Sequence, residues 1–412
     1  MMENSSTPPS FGVIILGGAH GTLALVRDFG RLGLPVAIVT NDHPLPRLSR
    51  YAQRQFEWSG PDAPDAAQWL AHLAYDYGMT GWLLLPSGDA EVKLIASQRD
   101  LLGRAFRLMS CDWDRLKLLC DKQLLPATAA GADVAMPRNY RIRSESDAAS
   151  VNATFPVVIK PAMRTEQNAF TQAKAWRADS REELIVRYRE AAALVGADNV
   201  VIQEFVPGGG EAQFSYAALW HRGAPVVEMT ARRARQYPVE FSYTSTFVET
   251  AVNEAVRQAS VRLLGSVGFE GLVEVEYKFD ARDGTYKILD VNPRAWSWVG
   301  LCSASGLDLA SAMVAIAHDQ PVRPTQATAG HAWIHATRDV VSALQLIARG
   351  DLGLLDYIGS LKQQLTFSTF APDDPWPGLC DIPLTIYRVI ARRIPPPTKP
   401  PVRPADAAHN AR

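Results

Sequence analysis

GLVEVEYKFDARDGTYKILDVNPR, residues 271–294, alternates apolar and polar positions on either side of a turn-rich centre. Leu272, Val273, Val275, Tyr277 and Phe279 read as one strand, Tyr286, Ile288 and Leu289 as the next, and residues 280–284 as the turn between them. Side chains on a strand alternate with period two. Glu274 and Glu276 therefore share one face of the first strand, and Asp290 and Asn292 share one face of the second. Two or three hard oxygen ligands converge beside Arg294, a donor set that suits Mg²⁺ carrying nucleotide phosphates. Acids flanking a turn also occur on a solvated hairpin that holds no ligand.

The hairpin VEVEYKFDARDGTYKILDVNPR resembles the metal-binding hairpin of the ATP-grasp superfamily, whose second strand ends in an acid, one residue and Asn. The forms YKFDARDG and NPRAW are most similar to the carboxylate-amine ligases of that superfamily, the group that includes D-aspartate ligase. The family acid before Asn is usually Glu; here it is Asp290, which keeps the charge and shortens the reach. The resemblance, which spans residues 11–321, implies an α/β chain: a doubly wound N-terminal pre-ATP-grasp domain followed by a two-lobed α+β ATP-grasp fold. The expected divisions are 1–110 for the first domain and 111–325 for the second, with a small lobe at 111–203 and a large lobe at 204–325. A C-terminal extension with a helix at 326–394 and a disordered tail at 395–412 complete the chain.

The chain of 412 residues is long enough for two or three domains, and its 47% hydrophobic and 21% charged residues are ordinary for a globular protein. Its formal net charge of -1 gives no footprint for a phosphate backbone, so no nucleic acid is expected as a partner. Cys111, Cys120, Cys302 and Cys380 are too few and too scattered for a disulfide framework or a zinc site, which favours a reducing, cytoplasmic setting. The polar start MMENSSTPPS lacks the apolar core of a signal peptide, and no apolar run reaches the length of a membrane span.

Residues 11–39 read as strand, glycine turn, helix and strand, the opening of a doubly wound sheet. Gly17, Gly18 and Gly21 make a loose version of a dinucleotide fingerprint, or a tight turn with no ligand. Residues 82–86 form another strand, after which Asp89 is either a substrate contact or, more simply, a helix cap. Residues 112–137 read as a helix pair with Asp121 and Lys122 opening the second helix.

The DK at that place resembles the first nucleotide-binding lysine of the superfamily, which implies a phosphate contact for Lys122 rather than Lys117. Lys160 sits inside the apolar run FPVVIKPA, where burial demands an anionic partner; the resemblance assigns it to the α- and β-phosphates of ATP. Many members of the superfamily follow this lysine with a glycine-rich flap, which is poor in glycine in the branch that includes D-aspartate ligase. Here residues 163–174 contain no glycine, and Arg164, Thr165, Asn168 and Lys174 are the polar substitutes.

NVVIQEFVPGGGE, residues 199–211, resembles the adenine hinge. That implies backbone contacts from Glu204 and Val206, a side-chain contact from Gln203 or Glu204, and a ribose contact from Glu211. Arg232, Arg233 and Arg235 follow a strand, and Arg is the side chain suited to bidentate recognition of carboxylate and phosphate. Arg233 or Arg235 is expected to hold the donor carboxylate or the transferring phosphoryl group, with Arg294 neutralising charge beside the metal ligands. Trp296 and Trp298 read as core or pocket wall. Residues 384–394 read as a short apolar helix packed on the domain.

The resemblance names Glu276, ahead of Glu274, with Asp290 and Asn292 as the Mg²⁺ ligands, Mn²⁺ being the alternative ion. The implied reaction joins a small-molecule carboxylate, such as an amino acid, to an amine at the expense of ATP, through an acyl phosphate. Relatives that activate bicarbonate, and others that bind nucleotide without turnover, are the alternatives. Dimers are frequent among the relatives, so a homodimer is expected.

Overall fold

The computed structural model describes residues 11–18, 20–41, 44–163, 168–173, 175–239 and 244–391, with side chains as far as residue 385. Arg164, Thr165 and Lys174 of the expected flap substitute, and the tail at 395–412, lie outside the described residues. Three sheets organise the rest.

The first is parallel, in the order β3-β2-β1-β4-β5, from β1 (Val13–Leu16), β2 (Val36–Val39), β3 (Ala52–Phe56), β4 (Leu83–Pro86) and β5 (Arg107–Leu108). Its central strands are apolar at every position because both faces are covered. Val13 and Ile15 pack with the His20–Arg31 helix, and Ile14 and Leu16 with the Ala66–Asp76 helix. This is the doubly wound domain anticipated from the sequence. Gly21 lies where an added Cβ would stand 2.6 Å from the Trp296 carbonyl oxygen, so the missing side chain lets the first helix touch the segment after the 271–294 hairpin.

The second sheet runs β6-β9-β7-β8, from β6 (Asn139–Tyr140), β7 (Val157–Pro161), β8 (Trp176–Ala178) and β9 (Val200–Glu204). The Arg181–Val195 helix covers the face carrying Val157 and Ile159. The third runs β14-β13-β10-β11-β12-β16-β17, with β15 pairing β11 off that path. Its strands are β10 (Gln213–His221), β11 (Ala224–Tyr237), β12 (Thr244–Thr250), β13 (Gly271–Asp280), β14 (Thr285–Asn292), β15 (Thr325–Gln326), β16 (His331–Ile334) and β17 (Gln364–Phe367). One apolar core joins this sheet to the first: Ala217, Leu219, Met229 and Trp298 pack in a single cluster with Val13, Ile15 and Phe29.

Some sequence boundaries shift. The arginine run 232–235 lies within β11 rather than after a strand, because the alternation of Met229, Ala231 and Arg233 continues through it. The second helix of the 112–137 pair begins at Leu125, leaving Asp121 and Lys122 in the preceding turn, where the Asp121 carboxylate accepts from the Gln123 backbone N–H. Pro383 lies inside the Trp376–Ala391 helix instead of before it, at the cost of one backbone hydrogen bond.

Asp28 gives the fold a pH signature. Its carboxylate accepts from the Ser303 hydroxyl at 2.7 Å, and burial pushes its pKa up from 3.8 to about 6. The folded chain thus holds this proton more tightly than the unfolded chain, and ionising it as pH rises from about 4 through about 6 costs stability. Asp28→Asn should match wild type near pH 4 and exceed it above pH 6, by about 3 kcal/mol. Thermal melts of both proteins across that window check the sign.

Candidate active site

Strand register decides which side chains meet. Between β13 and β14, Glu274 stands opposite Asn292 and Glu276 opposite Asp290, and a bulge at Leu289 then resets the pairing to Tyr277 with Ile288. Val273, Val275 and Tyr277 are buried against the other face, which turns both glutamates and their partners to the same side. On β10, Ser215 lies opposite Glu276 and Ala217 opposite Glu274. Ala231 of β11 pairs with Ser215, so Arg233, two residues on, joins the glutamate face.

The two glutamates differ in what they touch. Glu274 is 5% exposed; one carboxylate oxygen accepts from the Ser215 hydroxyl at 2.9 Å and from the Trp298 indole N–H at 3.1 Å. Burial, and then the neighbouring Glu276, push its pKa up against the pull of Arg233. Glu276 lies nearer the opening, paired with the Arg233 guanidinium and accepting from the Asn292 amide at 3.0 Å. Arg233 is itself buried, and the attraction of Glu276 and Glu274 outweighs that burial and raises its pKa. Asp290 faces Lys122, with Nζ and carboxylate 3.2 Å apart.

Two cavities meet at this cluster. The larger, about 690 Å³, lies between the second and third sheets, and the smaller, about 170 Å³, lies toward the first domain. Lys122, Arg233, Glu276 and Asp290 line both.

The larger cavity collects the side chains expected for a nucleotide. On β7 and β9 the pairs Val158 with Gln203 and Lys160 with Val201 share one face, so Lys160 and Gln203 both line the cavity. Val206 and Glu211 line it too, and Glu211 accepts from the Gly209 backbone N–H at 2.8 Å. Glu204 contributes to the wall, but its carboxylate is engaged by the Arg282 guanidinium at 2.7 Å and the Arg138 backbone N–H at 3.2 Å. Both side chains left open at the hinge thus line the cavity, the Glu204 carboxylate being held by Arg282.

Arg235 is placed differently from the alternative the sequence left open. Its guanidinium makes a bidentate pair with Asp339, at 2.9 Å for each contact, between the rings of Phe247 and Tyr357. Asp339 also accepts from Thr246. Burial of both partners holds Arg235 to the C-terminal extension, so Arg233 is the member of the run that joins the acids.

The smaller cavity is lined by Asp62, Asp89 and Lys93 of the first domain, and by Arg294, Asn292, Ser245 and Trp298. Asp89 opens the Asp89–Ser97 helix behind a Gly88 cap and accepts from the Arg294 guanidinium at 2.5 Å, so it is neither the cap nor isolated. Arg294 also approaches the Asn292 amide oxygen at 3.4 Å. Cys120, at the same wall, has its thiol pKa driven up by burial and by Asp89 and Asp290, which keeps it from thiolate chemistry.

Sequence reasoning did not reach the C-terminal wall. Leu346, Arg349, Asp351, Asp356 and Ser360, from the Ala336–Arg349 and Leu354–Ser360 helices and the turn between them, line the larger cavity. No motif marks them; only the apolar phase of the Ala336–Arg349 helix signals packing.

Two lobes of antiparallel sheet around a cavity, with lysines on one side and an oxygen-rich hairpin on the other, make up the two-lobed ATP-grasp fold that the sequence resemblance implied. Residues 121–325 match the family described as carbamoyl-phosphate synthase L chain, ATP binding domain. The chain is 24% identical over 338 residues to D-aspartate ligase of Enterococcus faecium (strain Aus0004), a match covering 75% of this chain and 77% of that one. The biotin carboxylase domain of Hydrogenobacter thermophilus 2-oxoglutarate carboxylase, solved with MgADP, ADP and bicarbonate, has a similar fold. It superposes with a TM-score of 0.62 at 14% identity, over 77% of this chain and 73% of that one. L-amino acid ligase from Bacillus licheniformis superposes with a TM-score of 0.53 at 15% identity, over 69% and 67%. Among the described residues no helix is long and apolar enough to cross a membrane.

Proposed function

We propose that the chain is an ATP-dependent carboxylate-amine ligase that forms an amide bond through an acyl phosphate and releases ADP and phosphate. The observation that carries the reading is the junction of two cavities at Lys122, Arg233, Glu276 and Asp290. A nucleotide in the larger cavity would present its γ-phosphate there, to a carboxylate held in the smaller one. The similarity to D-aspartate ligase supports amide formation.

In this reading Lys160 and Lys122 bind the phosphates, Gln203, Val206 and the backbone of Glu204 meet the adenine, and Glu211 meets the ribose. Glu276, Asp290 and the Asn292 amide oxygen form a hard donor set of the kind Mg²⁺ takes. When bound, the ion would neutralise phosphate charge. Arg233 and Arg294 stay cationic through their carboxylate neighbours and are placed to stabilise charge on the transferring group. A substrate carboxylate oxygen attacks the γ-phosphorus and the bond to the β-phosphate bridging oxygen breaks, releasing ADP. The amine nitrogen then attacks the acyl carbon, phosphate departs with the carboxylate oxygen, and the nitrogen loses a proton. Nothing in this sequence requires a protein nucleophile; positioning and charge do the chemistry.

The small cavity carries both signs of charge, Lys93 and Arg294 against Asp62 and Asp89, which suits a zwitterionic amino acid as one substrate. The division of the chain at 110, 203 and 325, and a homodimeric assembly, belong to the same proposal. The test is ADP release from Mg·ATP by the purified protein against arrayed amino acids, small acids and amines, with bicarbonate as a separate arm. Turnover that requires one acid and one amine supports the ligase. Turnover that requires bicarbonate and no amine, or nucleotide binding with no turnover in any arm, would overturn it.

A further inference from the structure

Away from both cavities, three buried side chains from distant parts of the chain meet where the C-terminal extension packs on the first helix. His20 opens the His20–Arg31 helix, His335 precedes the Ala336–Arg349 helix, and Asp381 lies in the Trp376–Ala391 helix. They are 8%, 2% and 4% exposed, and one ligand-capable atom of each lies within 4.8 Å of the other two. The two imidazole rings stand edge to face with centroids 4.5 Å apart. Thr337 links two of the three: its hydroxyl is 3.1 Å from His335 Nδ1 and donates to Asp381 Oδ2 at 3.4 Å. None of the three lines either cavity of the active site.

Gathering two imidazoles and a carboxylate in a dry place costs free energy unless something offsets the lost hydration. Burial raises the Asp381 pKa, and Arg338 and Thr337 only partly oppose it. A divalent cation would offset that cost directly. Ligands about 2.0–2.2 Å from a tetrahedral ion stand roughly 3.3 Å from one another, so atoms already within 4.8 Å need only small side-chain rotations to close. Two nitrogen donors with one carboxylate select a borderline ion such as zinc over magnesium, which prefers oxygen alone. The Thr337 hydroxyl is the kind of outer contact that fixes the orientation of a ligating histidine and carboxylate.

We propose that His20, His335 and Asp381 bind one zinc ion that clamps the C-terminal extension to the first domain. The ion is structural and separate from the oxygen-rich hairpin. It acts beside an existing set of polar ties, in which buried Arg27 pairs with Asp374 at 2.9 Å and Arg31 with Asp373 at 2.9 Å. Because the extension also walls the nucleotide cavity, the clamp would fix that wall in place.

The test uses the full chain, stripped with chelator and then dialysed against zinc or cobalt(II). Wild type should retain about one equivalent of zinc through gel filtration, and the cobalt form, its three protein ligands completed by one water, should show the intense visible bands of a four-coordinate site. His335→Gln and Asp381→Asn should weaken zinc retention at least about tenfold and remove those bands. Asp290→Asn, at the hairpin, should leave them in place. Wild type that keeps no zinc, a cobalt spectrum of a six-coordinate oxygen site, or undiminished retention in a folded His335→Gln protein would each overturn the proposal. Should the variants fail to fold, the wild-type metal content and cobalt spectrum still decide it.

Discussion

Asp290→Asn is expected to lower the rate of Mg-dependent ADP formation at least about a hundredfold while leaving the fold intact. Asp290 is 25% exposed at the side chain and lies at the junction of both cavities, 3.2 Å from Lys122 and opposite Glu276 in the sheet register. Asparagine preserves the shape and removes the charge. The loss should therefore fall on Mg²⁺ dependence and turnover, not on melting temperature, and under the proposed function ATP should still bind through Lys160 and Lys122. Glu276→Gln should behave alike. Glu274→Gln should cost less than about tenfold, because Ser215 and Trp298 already occupy that carboxylate and can donate equally to an amide oxygen. Steady-state kinetics over a Mg²⁺ titration separates the three, and a Glu274 variant as damaged as Glu276 would reverse their assigned roles.

Asp339→Ala should destabilise the protein by about 3–5 kcal/mol, the cost of leaving a buried guanidinium without its partner. Asp339 is fully buried, Arg235 nearly so, and their bidentate contact is supplemented by Thr246 and Ser360. The pair fastens the Ala336–Arg349 and Leu354–Ser360 helices to β11, and those helices with the turn between them carry Arg349, Asp351 and Ser360 to the larger cavity. A weaker apparent affinity for ATP should accompany the lower melting temperature. Replacing both partners with apolar residues, Arg235→Met with Asp339→Leu, should recover much of the stability without restoring the Ser360 contact. Denaturant titration of the single and double variants reads the coupling directly.

The hairpin was legible because its chemistry is local: period-two alternation set the acids on one face before any tertiary contact was known. Its bulge at Leu289 was not legible, since a bulge is defined by the partner strand. The doubly wound sheet was legible for the same local reason, in that strands covered on both faces are written as short apolar runs. Lys160 stood out because a cation interrupts such a run. The roles of Arg233 and Arg235 could not be separated, because both point to one side of β11 and only the distant Asp339 claims one of them. The C-terminal cavity wall and the His20, His335 and Asp381 cluster were silent in the sequence for a related reason. Each brings together side chains hundreds of positions apart, and nothing local marks them.

The central claim is that a substrate carboxylate, activated as an acyl phosphate, is the acceptor at this site. Its most direct test is a transfer experiment with the acid that supports turnover, labelled with heavy oxygen in the carboxylate. Attack on the γ-phosphorus predicts that one labelled oxygen appears in the released phosphate for each amide formed, with ADP as the nucleotide product. Unlabelled phosphate alongside amide product, or label recovered in AMP, would contradict the account.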